Sequence, residues 1–136
     1  MKIVFDEERS KGWTPRVLGA REQKCNGCDI ISTPPDGGDP HFIEVKAMGR
    51  PFLTKTGKWS WPDVVVRQSQ LDACKGDRCD SFRFEIVANL TAYRDHDDPY
   101  ERLTLTAKDV IGNEASRIQL LVKLHDGLKA EIRRST

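Results

Sequence analysis

No stretch of this 136-residue chain approaches the roughly 20 consecutive apolar residues that a bilayer-spanning helix needs. The amino-terminal run Met-Lys-Ile-Val-Phe-Asp-Glu-Glu also lacks the long apolar segment of a secretory signal. A cytoplasmic setting with no membrane partner is therefore expected. Net charge is nearly absent as well: 22 Lys and Arg face 21 Asp and Glu, a formal +1. The molecule as a whole is not a polycation, so any nucleic-acid surface has to be local. Cysteine is sparse, with four residues, and in a cytosolic chain these are not read as a disulfide framework. There are three histidines. His41 and His125 stand at strand and turn ends and His96 lies in an Asp-rich polar loop, while no Ser or Cys carries a motif for nucleophilic catalysis. What remains is 38% hydrophobic and 32% charged, the composition of a globular chain able to bury one core, read as a single domain over 1–136.

The densest chemistry lies between Asp29 and Lys46. Two short strands, Asp29 to Ser32 and His41 to Lys46, flank a tip of Pro, Gly and Asp that permits little other than a tight reversal. Alternation along a strand sends Glu44 and Lys46 to one face and Ile43 and Val45 to the other, into a core. Hairpin register can set Asp29 beside the Glu44 end. Two carboxylates can then hold a hard divalent cation through oxygen, with an ammonium alongside to orient water or offset charge. That set suits phosphodiester hydrolysis.

The rest of the chain reads as layers around this hairpin. Residues 2–11 suggest a short helix stopped at Gly12. Its Glu7 and Glu8 are read first as residues suited to a helix's opening turns, and second as further reach toward a metal. Trp13 to Leu18 suggests irregular chain or an edge strand interrupted at Pro15, and Arg16, Arg21 and Lys24 form a basic run before Asp29. Val64 to Val66 reads as a short buried strand leading into Ser69-Gln70-Leu71-Asp72, a capping-box pattern with the helix beginning at Gln70. Gln70 thus sits at a helix N-terminus, where backbone donors favour an anion. Ser81 to Tyr93 alternates as a long strand, Arg94 to Pro99 is a polar turn, and Glu101 to Thr106 is another strand. The expected order is helix, hairpin, strand, helix, strand, strand, an α/β fold with a mixed sheet flanked by helices. The core covers about 12–106, and 107–136 forms an extension. Its alternating segments 118–124 and 128–132, joined at Asp126-Gly127, read as a final hairpin, with a helix over 114–124 as the competitor.

Asp29, fourteen residues, then Glu44-Val45-Lys46 resembles the core of the PD-(D/E)XK nuclease superfamily. Gly-Cys-Asp-Ile followed by Phe-Ile-Glu-Val-Lys is similar to its Mrr-like and NO VEIN C-terminal-like branch, over roughly Gly12 to Leu90. Cys28 stands where the family pattern has Pro. The resemblance implies a restriction-endonuclease-like sheet and a magnesium or manganese ion held by Asp29, Glu44 and the backbone carbonyl of Val45. It also implies a water-assisting role for Lys46 and a positioning role for Gln70, with DNA as the partner. The family's leading helix is longer than residues 2–11, as expected if the chain belongs to a larger polypeptide; a homodimer is the other context left open.

Two further groups of residues carry rival readings. Cys25 and Cys28 have metal-ligand spacing, and with Cys74 and Cys79 they could form a closed zinc staple; the alternative is ordinary buried thiols. Arg50, Lys55, Lys58, Trp59 and Trp61 interleave cations with aromatics in a loop suited to gripping phosphate and stacking on a base, or equally to ordinary surface and core cover. Three functions follow: a metal-dependent, restriction- or defence-type endonuclease, a non-cleaving nucleic-acid-binding module on the same fold, and a zinc-stapled interaction domain.

Overall fold

The computed structural model describes residues 1–53, 56–58, 63–111, 119–123 and 132–134. Helix α1 (Lys2–Ser10) ends where Gly12 takes a left-handed φ of 85°. Strand β1 (Thr14–Val17) is the expected edge strand, with Pro15 tolerated there because an edge need not donate on both sides. Helix α2 (Ala20–Asn26) follows, in a stretch where the sequence had shown only a basic run. Its seven residues are too few to show a period, yet they include good helix formers, and Gly27 closes the helix at φ 67°.

The hairpin forms as read. Strand β2 (Ile30–Thr33) pairs antiparallel with β3 (His41–Ala47), Ile30 opposite Ile43 and Ser32 opposite His41. Strand β4 (Asp63–Arg67) leads directly into helix α3 (Gln68–Lys75). Next come β5 (Phe82–Ala88), α4 (Leu90–His96), β6 (Glu101–Thr106) and α5 (Ala107–Ile111). Strands β7 (Gln119–Lys123) and β8 (Ile132–Arg134) complete the described elements. The main sheet runs β1-β2-β3-β5-β6-β8, with β3 and β5 parallel and the other pairs antiparallel, so it is mixed. The α/β expectation holds.

Both faces of the sheet are covered. On one, Phe82, Phe84, Ile86 and Ala88 of β5 meet Leu71 and Cys74 of α3 and Val110 of α5. On the other, Val4 of α1 packs with Ile30, Ile43 and Val87, and Val45 lies against them. Strand alternation therefore puts Glu44, which is opposite Phe84, on the α3 face, away from α1.

Several boundaries differ from expectation. The long strand over 81–93 stops at Ala88, because Asn89 adopts φ 60° and starts α4, its side-chain amide donating to the Pro99 carbonyl at 2.9 Å. Asn tolerates that conformation better than most residues, a signal that β alternation obscured. Val66 is buried but Val65 is exposed, so β4 is a half-buried strand, and it pairs with β7 outside the main sheet. The two tail strands are present, but they do not make the expected hairpin with each other. β7 lies on β4 and β8 on β6, each taking up an edge that would otherwise be open. The competing helix over 114–124 gives way to β7, and the Asp126-Gly127 turn lies outside the described residues.

Candidate active site

The hairpin carries Asp29 and Glu44 to the same place. The Asp29 N–H donates to the Ile43 carbonyl at 2.9 Å, and its Oδ2 accepts the Val45 N–H at 2.9 Å, which pins the side chain across the strand end. Glu44 lies beside it, close enough for the Asp29 carboxylate to act on it by charge and by a side-chain hydrogen bond. Lys46, two residues along the same face, brings Nζ to 3.3 Å from Glu44 Oε1. Burial first, and the Asp29 charge second, push the Glu44 carboxyl up to about 7, against the opposing pull of Lys46. On an extended strand the N–H and C=O of one residue point to the same side, so the Val45 carbonyl faces the Asp29 side.

Gln70 completes the wall, with a correction to its setting. The helix begins at Gln68 with Arg67 as its N-cap, not at Gln70 with Ser69. Gln70 is the third helical residue, and its Oε1 accepts the Arg67 N–H at 3.0 Å, the role the capping-box reading gave to Asp72. Extended strand runs up to Arg67, so the chain turns into the helix two residues earlier than the Ser-x-x-Asp pattern suggested.

These residues line one cleft of about 760 Å³, together with Ala20, Arg21, Lys24, Gly27, Cys28, Arg67 and Ser69. Arg21 and Lys24 stood in the sequence as a basic run; α2 turns both into the cleft. Arg16 of the same run pairs instead with Glu22 at 2.8 Å. Arg67 was not anticipated, and β4 running straight into α3 is what delivers it. Among the described residues the cleft's charged side chains are four cations and two carboxylates, so it attracts anions outside the carboxylate pair.

Other candidates are placed elsewhere. Glu7 and Glu8 serve the opposite face of the sheet. Glu8 pairs with Arg83 at 3.0 Å and with Lys11 at 3.2 Å, while Glu7 accepts from Arg102 and from the Tyr100 hydroxyl, the latter at 2.8 Å. Arg50 and Lys58 are exposed and do not line the cleft, and Lys55, Trp59 and Trp61 lie outside the described residues. Of the two readings of the thiols, Cys28 and Cys74 fit that of ordinary buried cysteines: both lie in the core, where burial drives Cys28 up to about 11 and Cys74 up to about 12, while Cys25 is exposed. His96 is exposed, and His41 stacks on Trp13 at 4.4 Å and meets Arg83 at 2.8 Å.

The donors at the cleft are oxygen: two carboxylates and a strand carbonyl, a set that fits magnesium or manganese better than a thiophilic metal. Among the described residues no group of three or more His, Cys, Asp or Glu gathers to hold a metal. The two-carboxylate set matches the usual magnesium arrangement, in which water and substrate phosphate supply the remaining ligands. Among the described residues no helix is long and apolar enough to cross a membrane. Comparison with family models, curated proteins and solved structures gives no match to this chain.

Proposed function

We propose that the chain is a magnesium- or manganese-dependent nuclease domain that hydrolyses phosphodiester bonds in DNA. The observation that carries the reading is the meeting of Asp29, Glu44 and Lys46 in one cation-lined cleft, with Asp29 near enough to raise the Glu44 carboxyl. Two adjacent carboxylates, one of them desolvated, make a poor surface for a bare phosphate and a good one for a phosphate accompanied by a divalent cation. The bound cation supplies positive charge that polarises the phosphate and acidifies water. Asp29 and Glu44 would hold it, with the Val45 carbonyl at their side, and the backbone N–H of Val45 keeps Asp29 in place. Lys46 stands next to Glu44, where an ammonium can orient the attacking water and offset charge on the pentavalent transition state. Gln70, its oxygen tied to the helix cap, keeps its amide N–H₂ to position a phosphate oxygen or water.

Plasmid nicking tests this. Supercoiled DNA is expected to be relaxed by the wild type with magnesium, and not after chelation or in Glu44→Ala or Lys46→Ala. Nicking that survives both substitutions removes the proposal.

A further inference from the structure

Several cations among the described residues are held by ion pairs: Arg16, Arg83, Arg94, Arg102, Lys2 and Lys11 each meet a carboxylate. Arg21 and Lys24 differ: among the described residues, no ion pair or hydrogen bond engages either side chain, and both are exposed. They are three apart on α2, so they share a face, and that face lines the cleft of Asp29 and Glu44. The acid of the same helix, Glu22, is drawn off by Arg16 at 2.8 Å. The helix therefore segregates its charge, cations toward the carboxylate pair and anion away.

A second hollow, of about 470 Å³, adjoins the first along the seam between α2 and α3 and shares Lys24 and Ser69 with it. Its charged side chains balance: Lys24 and Arg78 against Asp72 and Asp77. Asn26 adds an amide, and Arg78 is held in place by donating to Asn26 Oδ1 at 2.8 Å and by stacking 4.1 Å above the Phe42 ring. A hollow lined with donors and acceptors but no charge excess suits a nucleobase edge more than a phosphate. The seam itself is closely fitted, since a Cβ at Gly27 would come 2.8 Å from the Ser69 carbonyl oxygen. Position 27 therefore carries no side chain, and α2 is seated directly on the start of α3.

We infer that the α2–α3 seam is the track for the DNA strand, its backbone on Arg21 and Lys24 and the nucleotide next to the scissile phosphate in the hollow beside Arg78. This deepens the nuclease reading and rests on it for the position of the scissile phosphate. It moves the grip from the loop around Lys58 to α2.

The test is fluorescence anisotropy with a labelled oligonucleotide, single-stranded and as its duplex, in chelator and across a salt series, alongside magnesium-dependent nicking. Each phosphate contact contributes about one to the slope of log K against log salt. Arg21→Gln/Lys24→Gln is expected to lower that slope by about two and to weaken binding of whichever form the wild type prefers by at least about tenfold at 0.1 M salt. The charge-matched Arg9→Gln/Lys108→Gln, on exposed residues outside the cleft, is expected to change neither. Arg78→Gln should leave the slope within about half a unit of wild type and level the affinities for oligonucleotides that differ at one base. An unchanged slope in Arg21→Gln/Lys24→Gln overturns the track, as does a loss seen only in Lys58→Gln, or no binding of either probe by the wild type. Nicking that persists while binding ignores Arg21 and Lys24 defeats the track alone. Binding that depends on them without any nicking defeats the nuclease reading alone.

Discussion

Replacing Glu44 by Gln should make the metal-free protein more stable above neutral pH. A Glu in the unfolded chain titrates near 4.5, and in the folded chain burial and Asp29 raise Glu44 to about 7. Between those values the native state holds a proton that the unfolded state has released. Stability from this group is therefore complete below about pH 4.5 and is lost as pH rises through about 7. At about 1.4 kcal/mol for each tenfold change, the loss at pH 8 has a ceiling of about 3 kcal/mol. The attraction of Lys46, 3.3 Å away, opposes the rise and is already contained in the value of about 7. The expectation is therefore a gain of up to about 3 kcal/mol for Glu44→Gln at pH 8, shrinking towards zero at pH 4. Urea unfolding of both proteins at several pH values in chelator measures it, because subtracting variant from wild type cancels the other titrating groups. Millimolar magnesium should then raise the wild-type midpoint and leave the variant's nearly unmoved. A variant less stable than wild type at pH 8, or a difference independent of pH, refutes the account of a desolvated, Asp29-burdened carboxyl.

Other consequences are equally open to measurement. Asp29→Asn keeps an oxygen for the Val45 N–H, so its thermal midpoint should stay within a few degrees of wild type while magnesium-dependent nicking is lost; a large fall in the midpoint contradicts the geometry. Gly27→Ala forces a left-handed φ on a residue with a Cβ and drives that Cβ toward the Ser69 carbonyl, so unfolding should show a loss of at least about 1–2 kcal/mol, and an unchanged midpoint speaks against the fitted seam. Arg102→Met strands the buried Glu85 without this cation and should cost about 3–5 kcal/mol, part of it recovered by adding Glu85→Gln. In native protein, Cys25 should react with iodoacetamide well before Cys28 and Cys74, whose thiols are buried; mass spectrometry after timed quenching reads the order.

The site was more legible than the fold around it. Asp29, Glu44 and Lys46 were readable because a strand's period of two leaves little freedom. Once Ile43 and Val45 are assigned to the core, Glu44 and Lys46 must share the other face, and the Pro/Gly tip then returns the chain within reach of Asp29. The start of α3 was less legible, since Ser69 and Asp72 imitate a capping box, whereas the bond the helix makes is from the Arg67 N–H to Gln70 Oε1. Asn89 ended β5 through one left-handed residue, which no alternation count registers. Helix α2 is too short for its period to stand out, yet it carries Arg21 and Lys24.

By itself the sequence determined the hairpin, the two acids and the amine at its end, the apolar face behind them and the mixed α/β layering, because these depend on local period and turn chemistry. Tertiary structure decided which strands the tail segments joined, that Cys28 and Cys74 went to the core, and that Glu7 and Glu8 were spent on Arg102 and Arg83 across the sheet from the site. It also decided that α2 was seated against α3. Such choices rest on contacts between segments far apart in the chain, where the competition for an open edge or an unpaired charge is settled only when every competitor is in place.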